Sequence, residues 1–134
     1  MSVPAKHRQA GLVEIPAFDA FTQGRTKREA FAMAEDLVET MAGTKGFRAT
    51  AYPTGGGAFE ISGNRIGVLL ALLLRRQRER RGLTLAEAAH KMGQRSKNAY
   101  ARYEQGKTMP TVAKLEQLLR AIAPDQKIVW HIVA

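Results

Sequence analysis

IGVLLALLLRRQRERRG, residues 66–82, is the stretch that decides how the rest of the chain folds. Nine uncharged residues, 66–74, run directly into RRQRERR. A spanning helix needs about 20 apolar residues to cross a bilayer core, so the run is too short for a membrane segment. Ile66, Leu69, Leu70, Leu73 and Leu74 fall at i, i+3, i+4, i+7 and i+8, the stripe of a helix with one buried side. The arginines continue that helix into solvent, with Arg75 or Arg78 able to pair with Glu79, until Gly82 caps it. Residues 1–10, MSVPAKHRQA, lack the apolar core of a secretory signal. The expectation is a soluble, cytoplasmic protein with no membrane partner.

Length and composition narrow the chemistry. A chain of 134 residues buries one modest core or two small ones. It has no cysteine, and its three histidines, His7, His90 and His131, form no ligand spacing. No catalytic residue, metal site or cofactor is expected. The net charge of +9 is unevenly placed: residues 1–64 carry seven basic and seven acidic side chains, residues 65–134 fourteen and five. A basic half beside a neutral half implies that one module meets a polyanion; a solvated basic surface is the blander account.

The first half reads as a small α+β unit. LVEI, 12–15, is a strand stopped by Pro16, and FDAFTQ, 18–23, a second one stopped by Gly24. TKRE, 26–29, is a capping-box pattern, and the helix it starts carries Ala30, Ala34, Leu37 and Met41 along one face and Glu35, Asp36 and Glu39 along another. Gly43 and Gly46 end it. FRATAY and AFEI flank a turn at Gly55–Gly57 and read as a hairpin. The three glycines do not make a phosphate loop, because no GKS or GKT follows. The acidic trio reads as a solvated face or as a surface for a basic protein. An enzyme built on Asp36, Glu39 and Glu60 would need a nucleophile, metal or cofactor motif, and the sequence has none.

The second half reads as four short helices. TLAE, 84–87, is another capping box, starting a helix with Leu85, Ala88, Ala89 and Met92 on one face. Ser96 can cap a third helix over 97–105, ended by Gly106, and Thr111 leads into a fourth with Val112, Leu115, Leu118, Leu119 and Ile122 on its buried side. A tight turn between the second and third helices gives the helix-turn-helix plan. KIVWHIVA, 127–134, reads as a strand in need of a partner edge.

Residues 73–122 resemble the Cro/XRE-type helix-turn-helix family, through Gly82-Leu83-Thr84, Ala89, Met92-Gly93 and Arg102-Tyr103-Glu104-Gln105-Gly106. Leu85 stands where many members have Gln, and the GQRS turn is one residue longer than the commonest form. Residues 13–41, VEIPAFDAFTQGRTKREAFAMAEDLVETM, are similar to the HicB-type antitoxin signature, with PAFDA in place of the usual PDLPG. The two resemblances imply a partial RNase H-like domain over 1–63, a helix-turn-helix domain over 64–123 and a C-terminal strand over 124–134. They imply a protein that occludes a small RNA-cleaving HicA-like toxin and represses its own operon by binding operator DNA as a homodimer or higher oligomer. The alternative is a stand-alone Cro/XRE-type repressor whose first domain senses a ligand or assembles subunits.

In that frame the helix after the turn enters the major groove. Tyr100 and Tyr103 are expected in the core. Lys97, Asn98, Ala101 and Arg102 face outward: Asn98 suits adenine, Lys97 or Arg102 suits guanine, and Ala101 a thymine methyl. Arg95 and Lys107 at the helix ends suit phosphates, and Ser96, the residue before the helix, is expected at the DNA surface with them. For the toxin surface the candidates are Phe18, Phe21, Glu35, Asp36 and Glu39.

Overall fold

In a computed structural model, which describes residues 1–126, strands β1 (Val3–His7), β2 (Leu12–Ile15) and β3 (Ala20–Gln23) are followed by helix α1 (Lys27–Ala42) and the hairpin β4 (Ala49–Gly55) and β5 (Ala58–Gly63). Helices α2 (Ile66–Arg80), α3 (Leu85–Lys91), α4 (Lys97–Glu104) and α5 (Val112–Ile122) complete the described chain. The segment 127–134, expected as a strand, lies outside the described residues. The architecture is α+β: a sheet-and-helix unit followed by an all-helical one, with the division after Leu69, inside α2.

The first unit is one antiparallel sheet in the order β3-β2-β1-β5-β4. Helix α1 packs on one face, touching β2, β3 and β4. Val3, Ala5, Val13, Ile15, Ala20, Ala49, Phe59 and Ile61 fill the space beneath it. At period two these residues share a face, and the opposite face carries Pro4, Lys6, Glu14, Phe21, Tyr52 and Glu60. The strand β1 was not foreseen from sequence, because Pro4 and Lys6 interrupt its apolar pattern. It sits at the sheet's centre all the same. Its contacts to β2 start only at Lys6↔Glu14, so the missing N–H of Pro4 falls beyond the end of β2, where no bond is required.

Two other sequence expectations shift. The segment 18–23 is not one strand: Pro16–Phe18 form a turn of 3-10 helix and Asp19 adopts a left-handed φ of 49°. Pro16 suits the first position of such a turn, and Asp tolerates the left-handed region. Strand β3 begins after it. On α1 the buried stripe is Ala30, Ala34 and Val38, with Leu37 and Met41 half-buried. Thr26 caps the helix, accepting from the Glu29 amide at 3.1 Å, and Gly43 ends it. The end of β3 lies so close to α1 that a Cβ on Gly24 would sit 2.5 Å from the Ala30 backbone; only glycine fits there.

Helix α2 buries Leu69, Leu70, Ala71, Leu72, Leu74 and Gln77, while Ile66 stays 46% exposed. The predicted stripe therefore gives the wrong set in part. A helix with nine uncharged residues is apolar all round, so periodicity cannot choose its buried side. Nor do its arginines simply run into solvent. Arg75 and Arg76 each pair with Glu79 at 3.5 Å, Arg78 pairs with Glu104, and Arg81 with Asp125. Among the described residues no helix is long and apolar enough to cross a membrane.

Candidate nucleic-acid interface

The second unit is assembled by caps. Thr84 accepts from the Glu87 amide at 3.0 Å while the Glu87 carboxylate accepts from the Thr84 amide at 3.1 Å, the reciprocal box foreseen from TLAE. The Thr84 amide first, and the Thr84 hydroxyl second, hold the Glu87 carboxyl below the usual carboxylate range. Helix α3 then ends in a Schellman motif: the Gly93 amide donates to His90 O at 2.9 Å and the Gln94 amide to Ala89 O at 3.0 Å. Gly93 takes φ 73°, which a side chain would oppose. The same pair of bonds recurs at Gly82 and at Gly106. Ser96 caps α4 by accepting from the Asn98 amide at 3.2 Å.

Helix α4 is positioned by its inner face. Tyr100 is fully buried and Ala101 nearly so; α3, with buried Ala88 and Ala89, touches both α4 and α5, where Leu115, Leu118, Leu119 and Ile122 are buried. Glu104, one turn on from Tyr100, accepts from Arg78 at 2.7 Å (Nε) and 3.0 Å (Nη2), and Arg78 Nη1 donates to Leu83 O at 2.8 Å. The two side chains are 15% and 6% exposed. This bidentate pair ties the end of α2, the loop before α3 and the end of α4 together. The Glu104 hydrogen bond is the main cause of the raised pKa of Arg78, with burial opposing it. The Tyr100 hydroxyl lies beside Glu104 without a well-formed hydrogen bond; burial first, then its polar interaction with the Glu104 carboxylate and the charge of that group, push its pKa far above the usual phenol range.

The arrangement leaves an outer surface of one charge. Arg95, Ser96, Lys97, Asn98, Arg102 and Lys107 are all exposed, as their assignment to DNA requires. Arg102 Nε reaches the Thr108 hydroxyl at 3.4 Å. Glu104, the lone acid of α4, is withdrawn into the pair with Arg78, so no carboxylate of this helix opposes a phosphate. Ala101 is a correction. It is 7% exposed and belongs to the core, because burial of Tyr100 and Glu104 sets the helix phase and 101 falls beside them. The exposed small residue is Ala99, three positions before Arg102 and next to Asn98. The sequence did hold that signal: 100, 101 and 104 lie on one helical face, opposite 99 and 102.

The residues singled out in the first unit do not form one surface. Phe18 is fully buried, so it packs the core and presents nothing to a partner. Phe21, on β3, is 60% exposed and lies on the uncovered face of the sheet. Asp36 is exposed on α1. Glu35 and Glu39 turn toward the sheet instead: Glu39 accepts from the Ala49 amide at 2.9 Å and Glu35 from the Ala51 amide at 2.8 Å. Asp36, Glu39 and Glu60 therefore converge on no common point, and among the described residues no cluster of His, Asp and Glu could hold a metal ion.

Residues 69–126 match the model of a helix-turn-helix domain, from the fourth residue of α2 through α5. No curated protein matches the chain. The second unit is thus a helix-turn-helix domain, and the match begins where the sheet unit ends.

Proposed function

We propose that this protein is a transcriptional repressor that binds operator DNA through α4 as a dimer. The observation that carries the reading is the outer face of α4, where Asn98, Ala99 and Arg102 are exposed beside Lys97 at the helix's first position, and the helix's one acid is sequestered by Arg78. Such a face placed in the major groove presents an amide for adenine and a guanidinium for guanine, each good pair discriminating by about 1–3 kcal/mol. Arg95 and Lys107 supply phosphate contacts, which set register and give salt dependence. A single unit reads few base pairs, and two copies on half-sites about 34–36 Å apart read a pseudo-palindrome. The test is selection of bound sequences from a random DNA pool, followed by gel shift with Asn98→Ala and Arg102→Ala. Both variants should lose preference for the selected site while remaining folded; unchanged preference in both would overturn the placement of α4.

A second role is favoured by one specific feature, the similarity of residues 13–41 to the HicB-type signature, in which β2, β3 and the Thr26-capped α1 follow in order. On that reading the sheet unit occludes a small basic RNA-cleaving toxin, through the sheet face that carries Phe21 or through the helix that carries Asp36, since the two stand on opposite sides of the sheet. Mass spectrometry of proteins retained by the full chain tests it. A stoichiometric basic partner of one minimal domain supports the antitoxin role, and recovery of DNA and self-associated chain alone leaves the repressor reading standing without it.

A further inference from the structure

The two outer edges of the sheet are finished differently. In β4 the amides of even residues point to β5, since Arg48 O accepts from the Asn64 amide in the same register. The amides at 49, 51 and 53 therefore point outward. Ala49 donates to Glu39, Ala51 donates to Glu35, and Pro53 has no amide hydrogen. Over residues 49–53 this edge offers no free donor to an incoming strand, which is how exposed edges are kept from pairing.

The β3 edge is finished in the opposite way. The Gly24 amide donates to Gly11 O at 2.9 Å, and the register Val13↔Thr22 and Ile15↔Ala20 continues that pattern. The amides and carbonyls of Phe21 and Gln23 accordingly point away from β2. Among the described residues nothing pairs with them. The Phe21 ring, 60% exposed, stands on the same strand.

We propose that the β3 edge is a homodimer interface, in which β3 of two copies pair antiparallel about a two-fold axis through Thr22. The axis is dictated by the free groups. With Thr22 opposite Thr22 of the second copy, Phe21 faces Gln23 of the second copy and Gln23 faces Phe21, so every outward donor meets an outward acceptor. An isologous contact of this kind must be self-complementary, and this register is. Each Phe21 then packs across the junction on the uncovered face beside Gln23 of the other copy. The contact is short, well below the roughly 1,600 Å² of a standard interface, so the dimer dissociates on dilution and is reinforced when both helix-turn-helix units hold DNA. This inference rests on the dimer in the repressor reading and not on the toxin reading.

The absence of native cysteine makes the test direct. In the proposed register Thr22 and its mate form a non-hydrogen-bonded pair with Cα atoms about 4.5 Å apart, inside the roughly 4.4–6.8 Å window for a disulfide. Thr22→Cys in the full chain should yield a covalent dimer under mild oxidation, and Phe21→Lys should raise the concentration at which sedimentation shows half-dimer by about tenfold or more, through two lysines at a former apolar junction. Tyr52→Lys, on the blocked edge, should leave that midpoint unchanged. A dimer that resists both Thr22→Cys crosslinking and Phe21→Lys overturns the β3 interface while leaving the repressor reading intact. A chain that is monomeric alone and on DNA overturns both. A monomer whose Phe21 and Gln23 amides resist hydrogen exchange also overturns the interface, since another segment of the same chain then covers the edge.

Discussion

Two charged helix faces, the acids of α1 and the cations of α4, look alike in the sequence and are used in opposite ways. Both read as surfaces held out to a partner. In the fold, Glu35 and Glu39 bend to the neighbouring strand and satisfy two backbone amides, whereas Lys97, Asn98 and Arg102 remain exposed. The difference lies in what each helix packs beside. Helix α1 runs along a sheet edge with unpaired donors, a ready sink for carboxylates. Helix α4 has buried its one acid against Arg78, and the side chains of its outer face stay exposed. A charged stripe is therefore a free surface only where no unsatisfied group lies within reach.

The largest test of this comparison removes the pair that clears the α4 face. Arg78→Met strands the nearly buried Glu104 carboxylate, and loss of one partner from such a pair costs about 3–5 kcal/mol. Urea unfolding of the helix-turn-helix unit should show that loss, together with weaker DNA binding. A change within about 0.5 kcal/mol, the range of ordinary surface substitutions, would mean that the pair does not position α4.

Next comes the edge of β4. Each of Glu35 and Glu39 makes a charge-assisted bond to an amide, worth about 1.5–3 kcal/mol at best and less at these half-buried sites. Glu35→Ala with Glu39→Ala should lower the stability of the sheet unit and expose the Ala49 and Ala51 amides to hydrogen exchange. Freed donors on that edge should also promote association in a Phe21→Lys background. DNA affinity should not move, in contrast to Asn98→Ala, which should cost about 1–3 kcal/mol in site preference with no loss of stability.

The smallest effect concerns Tyr100. Its pKa is raised in the folded chain, so the folded state holds the proton more tightly. Stability is full below the unfolded phenol pKa, about 10, and falls as pH rises beyond it. Tyr100→Phe should change stability at neutral pH by under about 1 kcal/mol, since the hydroxyl makes no good hydrogen bond there, and should remove its share of the alkaline decline. Thermal unfolding of both proteins at pH 7 and above pH 10 checks the sign.

The sequence by itself determined the punctuation of this chain. Thr26 and Thr84 cap helices as their spacing implied and Ser96 as expected, Thr111 caps the helix it leads into, Gly43, Gly82, Gly93 and Gly106 follow helix ends, and the glycines at 55–57 turn the hairpin. These are contacts among residues a few positions apart, so the local string contains both partners. The tertiary structure alone decided which faces are used. It placed β1 at the centre of a sheet despite Pro4, buried Phe18, and turned Glu35 and Glu39 inward. Each of those outcomes depends on groups distant in sequence: Glu35 meets Ala51 sixteen residues away, and Arg78 meets Glu104 twenty-six away. Burial and hydrogen-bond demand are properties of the neighbours a fold brings together, and no local pattern carries them.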